Sequence, residues 1–220
     1  HATMIKAPSL LLATLALAAV APLHAQDAAA GAKKAAMCIG CHDIPRYQTS
    51  FPEVYKVPKI GGQNAAYLVA ALGEYKKGER RFATMRAIAG SLSDKDMADL
   101  AAYYEKLPGP MIKTVADTPA VQPSAAVADL LTRGACTSCH GANLSKPISP
   151  AYPKLAGQYG DYLYATLRSY GTVGNPNVGR SNPIMGAQVK QFKNTELRQL
   201  ADYIASLPGE IFTVPDDRFR

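Results

Sequence analysis

Cys38-Ile39-Gly40-Cys41-His42 is a five-residue stretch whose pattern returns as Cys136-Thr137-Ser138-Cys139-His140. Cys-x-x-Cys-His is the attachment signature of c-type haem, in which two thiols bond to the porphyrin edge and the adjoining imidazole becomes an iron ligand. All four cysteines of the chain fall in these two units, so two covalent haem c groups are expected. A Cys-x-x-Cys pair also occurs as a redox dithiol or as half of a zinc site. Here each pair is followed at once by His, and no alternation of strands and helices surrounds it. The only other histidines, His1 and His24, lie near the start of the chain, so a zinc site lacks its remaining ligands.

Two signatures about a hundred residues apart in a chain of 220 favour two small domains. Each buries a limited apolar core, so the macrocycle supplies much of the interior and the apo chain is expected to fold poorly. The expected fold class is all-α. Alanine-rich residues 28–37 predict a helix running into the first signature. Asp43 to Lys59 holds three prolines and no sustained period and reads as a loop. Ala65 to Lys77 is periodic and ends at Gly78; Ser93 caps a last helix over Asp94 to Leu107, stopped by Pro108-Gly109-Pro110. The second half repeats the order with helices at Asp129–Ala135, Gly160–Tyr170 and Thr195–Leu207.

Offsets make the repeat explicit. Cys38, Cys41 and His42 match the second signature at a shift of 98; Pro58-Lys59-Ile60-Gly61-Gly62-Gln63 matches Pro153-Lys154-Leu155-Ala156-Gly157-Gln158 at 95, as do Tyr67 and Tyr162. Met85, Tyr103 and Leu107-Pro108-Gly109 match Met185, Tyr203 and Leu207-Pro208-Gly209 at 100. Duplication is the economical explanation, with the length changes in expected loops.

The second face of each haem decides its use: an open face supports ligand chemistry, whereas a sixth protein ligand leaves electron transfer. Met85 and Met185 are the methionines that coincide in the repeat, and both read as loop residues, so they are the candidate axial ligands beside His42 and His140. Met37, Met97 and Met111 have no counterparts and read as core packing. An iron-bound imidazole needs an acceptor for its other ring nitrogen; the carbonyls of Pro58 and Pro153 are the candidates. Arg80 and Arg180 coincide at a shift of 100 as candidate propionate contacts, against the plainer reading of solvated surface arginines. Tyr103 and Tyr203 read as helix packing.

The formal charge is +7, and haem propionates would bring the holoprotein nearer neutrality. Residues 26–125 hold 13 Lys/Arg against 10 Asp/Glu and residues 126–220 hold 10 against 7. Without a basic block, nucleic acid is not an expected partner; a weakly steered redox encounter fits better. His1-Ala2-Thr3 before Met4 reads as a tag remnant, Ser9 to Val20 as the apolar core of an export signal, and Leu23-His24-Ala25 as a cleavage site giving a start near Gln26; an uncleaved membrane anchor is the alternative. The domain reading is 1–25 tag remnant and signal peptide, 26–108 N-terminal domain, 109–125 linker and 126–220 C-terminal domain.

Export signal, paired signatures, Pro-Lys-(Ile/Leu)-(Gly/Ala)-Gly-Gln motifs, paired methionines and Tyr-x-x-x-Leu-Pro-Gly endings together resemble the diheme cytochrome c4 family over almost all of the mature chain. The resemblance implies two tandem class I cytochrome c domains with haems facing through their propionate edges. It implies a monomeric, periplasmic, non-enzymatic electron carrier. Its partners would be membrane respiratory complexes, a quinol-cytochrome c reductase as donor and a terminal oxidase as acceptor, or a periplasmic dehydrogenase. Asp43 to Val57, with Tyr47, Phe51 and Tyr55, is longer than the family's loop and suggests a particular partner. Two alternatives stay open: a cytochrome subunit bound tightly to a dehydrogenase or oxidase, and a diheme enzyme with one labile ligand.

Overall fold

Asp27 opens the first helix by accepting hydrogen bonds from the N–H groups of Ala29 and Ala30, the N-cap role of a short carboxylate side chain. The computed structural model describes residues 26–107 and 115–213. The expected leader, the Pro108-Gly109-Pro110 stop, Met111, the first part of the expected linker and the residues after Thr213 lie outside that range.

In the first half, α1 spans Ala28–Lys34 and α2 Ala36–His42, so the helix expected over 28–37 is two helices and the second contains the signature itself. Asp43 to Lys59 is a hairpin rather than a plain loop: β1, Gln48–Thr49, pairs antiparallel with β2, Tyr55–Lys56. Helix α3 is Ala65–Lys77 with Gly78 as a left-handed cap, α4 is Ala83–Gly90 and α5 is Asp94–Lys106. Ser93 and Asp96 form the capping box that starts α5, satisfying N–H groups that have no partner within the helix.

In the second half, α6 is Ala125–Arg133, α7 Cys136–His140, α8 Gly160–Ser169, α9 Pro183–Val189 and α10 Asn194–Ser206. Helices α4 and α9 went unread from the sequence because seven or eight residues give too few turns for a period to emerge. Ser124 caps α6, so helix begins at the last residue of the expected linker.

Each half has its own interior. Ala35, Leu92, Met97 and Leu100 form one cluster, and Ala65, Leu68, Ala101 and Tyr104 its neighbour; Leu130, Leu131, Leu163, Leu200 and Ile204 anchor the other half. Helix α1 crosses α5 at Gly31, where an added Cβ would lie 2.1 Å from the Asp99 carbonyl oxygen. Only glycine permits that approach.

The halves meet about a pseudo-two-fold axis. Gln63 donates to the Lys154 carbonyl and accepts from its N–H, at 2.9 Å each; Gln158 does the same with Lys59, at 3.0 Å each. Arg80 and Arg180 form an antiparallel bridge, flanked by Ser181 N–H to the Glu79 carbonyl and Arg81 N–H to the Gly179 carbonyl. One patch meeting its own counterpart is the geometry of an isologous contact. The hairpin breaks the symmetry: Lys56 pairs with Asp161 at 2.8 Å, Glu53 pairs with Arg168, and Tyr55 packs on Tyr162 with ring centres 5.8 Å apart. Among the described residues no helix is long and apolar enough to cross a membrane.

Candidate haem sites

Helical geometry accounts for the signature. On α2, Cys38, Cys41 and His42 stand at i, i+3 and i+4 and so share one face; α7 repeats this with Cys136, Cys139 and His140. The Pro58 carbonyl lies 2.9 Å from Nδ1 of His42, and the Pro153 carbonyl 3.2 Å from Nδ1 of His140. A carbonyl can only accept, so each ring carries its proton on Nδ1. Burial pushes both imidazoles below their ordinary pKa. The result is a neutral ring with a free Nε2 lone pair, the form a metal requires.

The four cysteines are unpaired in disulfides and half-buried. Burial pushes the Cys38 thiol up to about 11 and raises Cys136 as well. A redox-active dithiol needs the opposite shift at its attacking thiol.

Both signatures line one cavity of about 630 Å³ that runs between the halves, and Met85 and Met185 line it too. Each methionine is the third residue of its helix, α4 or α9, which corrects the expectation that they lie in loops. Asn182 accepts from the Met185 N–H at 3.0 Å, whereas Phe82 at the matching position of α4 offers no side-chain cap. Met97 is buried as expected; Met37 is 53% exposed rather than packed in a core. Tyr103 packs beside α5's apolar residues, and Tyr203 donates to the Val121 carbonyl at 3.0 Å.

Neither arginine is a solvated surface residue: Arg80 is buried and Arg180 half-buried. Arg80 is 5% exposed and lies over Tyr67 and Tyr75, its guanidinium carbon 5.4 and 5.5 Å from the ring centres. Arg180 repeats this over Tyr162 and Tyr170 at 5.7 and 5.6 Å. All six side chains line the cavity. Arg80 is paired with Glu74; Arg180 donates to the Tyr162 hydroxyl at 3.0 Å, and none of the ion pairs among the described residues includes it. Shielded cations call for anions. The repeat at a shift of 95 also brings Tyr75 onto Tyr170 and Gln63 onto Gln158, a signal that marks the tyrosine box and the paired glutamines, whose roles the motif reading missed.

These residues fit haem c: paired thiols beside a buried imidazole of fixed tautomer, a thioether on the same cavity, apolar walls and guanidinium groups suited to propionates. Among the described residues no three His, Cys, Asp or Glu side chains gather into a site for a bare ion.

The comparisons agree. The cytochrome c family model matches residues 124–208. Cytochrome c4 of Azotobacter vinelandii is 32% identical over 222 residues, covering 93% of this chain and all of that one. A thiosulfate dehydrogenase electron acceptor of Stutzerimonas stutzeri is 30% identical over 187 residues, covering 80% of this chain and 82% of that one. The crystal structure of reduced recombinant cytochrome c4 from Pseudomonas stutzeri superposes with a TM-score of 0.59 at 26% identity, covering 83% of this chain and 100% of that one. With the tandem class I fold and the two signatures, these similarities show that the chain belongs to the cytochrome c4 family, diheme c-type cytochromes that carry haem c and transfer electrons.

Proposed function

We propose that this protein is a periplasmic one-electron shuttle with both irons six-coordinate. Cys38 and Cys41, and Cys136 and Cys139, are the thioether anchors. His42 and Met85 would hold the iron of the N-terminal haem, and His140 and Met185 that of the C-terminal haem. Haem c, when bound, supplies a one-electron iron couple. The protein's residues do the rest: the Pro58 and Pro153 carbonyls hold the ligating rings in one orientation, and Arg80 and Arg180 meet the propionates. The apolar cavity walls keep water away.

The observation that carries the reading is that Met85 and Met185 occupy the same helical position in each half and border the cavity that His42 and His140 border. With Met85 and Met185 as ligands no coordination position would remain for a substrate, and the protein would exchange electrons with partners by outer-sphere transfer during transient docking. The Stutzerimonas stutzeri relative, a thiosulfate dehydrogenase electron acceptor, supports a periplasmic dehydrogenase as donor beside the respiratory complexes. The hairpin's contacts with α8 favour an internal brace over a partner-binding loop.

Optical spectra of the oxidised holoprotein test the ligation. A sulfur-to-iron charge-transfer band accounting for two haems is expected; a high-spin signal or rapid cyanide binding would overturn it.

A further inference from the structure

The two-fold arrangement around the arginine pair is broken at one position. Backbone geometry places Glu74 and Ser169 in the same role: the Arg80 N–H donates to the Glu74 carbonyl at 3.1 Å, and the Arg180 N–H to the Ser169 carbonyl at 3.1 Å. The flanking tyrosines match too, Tyr75 beside Glu74 and Tyr170 beside Ser169. The side chains differ. Glu74 lines the cavity and pairs with Arg80; Ser169 turns its hydroxyl to the Thr166 carbonyl at 2.6 Å. The N-terminal half of the box therefore holds one cation and one anion, and the C-terminal half holds an uncompensated cation.

Neighbouring charges lean the same way. Arg81 sends its guanidinium to the Asn175 carbonyl in the C-terminal half, at 3.1 Å. Lys154, reaching the Gly62 carbonyl of the N-terminal half, is neutralised by Glu210 at 2.8 Å. Lys59, reaching the Gly157 carbonyl of the C-terminal half, has no carboxylate within ion-pair distance among the described residues. Reduction adds a negative charge to the iron site, and a site surrounded by net positive charge accepts it more readily.

We propose that Glu74 sets the two haems apart, holding the N-terminal one at the lower reduction potential so that a single electron rests on the C-terminal one. The proposal rests on the diheme carrier reading. Glu74 acts through the field it adds to the cavity wall and is a positioning residue for the electron, not a ligand.

The test is an equilibrium redox titration of the holoprotein followed by NMR, with each haem's methyl signals assigned through contacts to its own half. In the parent protein the N-terminal haem should be the last to be reduced. Glu74→Gln keeps the shape of the side chain and removes its charge; the ratio of electron occupancy, C-terminal over N-terminal, in half-reduced protein should fall on the order of tenfold. Ser169→Glu should also lower the ratio, by depressing the C-terminal haem. A parent protein whose N-terminal haem is reduced first, or a Glu74→Gln ratio within twofold of the parent's, overturns the proposal. Loss of the sulfur-to-iron band in the parent protein would instead overturn the His/Met assignment, while the titration order would still decide the role of Glu74.

Discussion

Lys56 holds Asp161 twice, its backbone N–H and its ammonium both donating to the same carboxylate oxygen, at 3.1 and 2.8 Å. The residues lie 105 positions apart in sequence, one on β2 and the other in the first turn of α8. Among the described residues no matching ion pair runs from the second half to α3, so this contact belongs to the hairpin insertion. Both side chains are 27% exposed, which places the pair between a screened surface bridge and a buried one. A double-mutant cycle of Lys56→Met and Asp161→Asn should return a coupling of about 1 kcal/mol in thermal or denaturant unfolding. Additive single effects would mean that the hairpin rests on α8 without bracing it.

Removal of haem should unfold most of the chain. The cavity between the halves is about 630 Å³, and each separate core is small. A chain with all four signature cysteines changed to Ser, and therefore no covalent haem, should lose most of its far-UV helical signal relative to the holoprotein. An apo chain with holo-like helicity would show that the helix contacts suffice alone.

Asp99 gives the protein an acid-sensitive joint. Its carboxylate, fully buried in α5, receives Lys34 of α1 at 2.7 Å, Lys95 at 2.9 Å and the Asp27 N–H at 3.1 Å. The hydrogen bonds from Lys34, then Lys95, lower its pKa from 3.8 to about 2. A depressed carboxylate contributes stability above its unfolded pKa and loses it as pH falls through the folded value. Denaturant midpoints should therefore drop between about pH 4 and about pH 2. Asp99→Asn should be less stable at neutral pH and show a shallower drop in that window.

Asn182 steadies the second methionine. Its side chain caps α9 at the Met185 N–H, and Asn182→Ala should cost about 1 kcal/mol. If the cap holds Met185 toward the cavity, the C-terminal haem of this variant should bind cyanide several-fold faster than the parent's, with the N-terminal haem unchanged. Equal rates for the C-terminal haem in variant and parent would restrict Asn182 to helix stability.

The regular helices α3, α5 and α10 were legible because each offers about three turns of apolar repeat bounded by a cap or by Pro-Gly, and α8 because it repeats the place of α3 in the second half. Helices α4, α7 and α9 were not, since their apolar faces turn toward a cavity and their length is too short for a period. Met85 and Met185 were still found, through recurrence rather than helix pattern. Recurrence also marked Arg80 and Arg180 but could not report their burial. The partner of Lys56 could not be read at all, because a charge carries no record of which distant charge it meets.

Sequence alone determined the covalent chemistry, since two thiols and an imidazole within five residues, repeated once, need only a single helical turn to share a face. The tertiary structure decided the electrostatics. Whether Arg80 and Arg180 are solvated or shielded, which of them has a counter-ion, and how a hairpin from one half braces the other depend on residues that meet only when the halves pack. Burial strengthens charge interactions by removing water, and burial is a property of the fold.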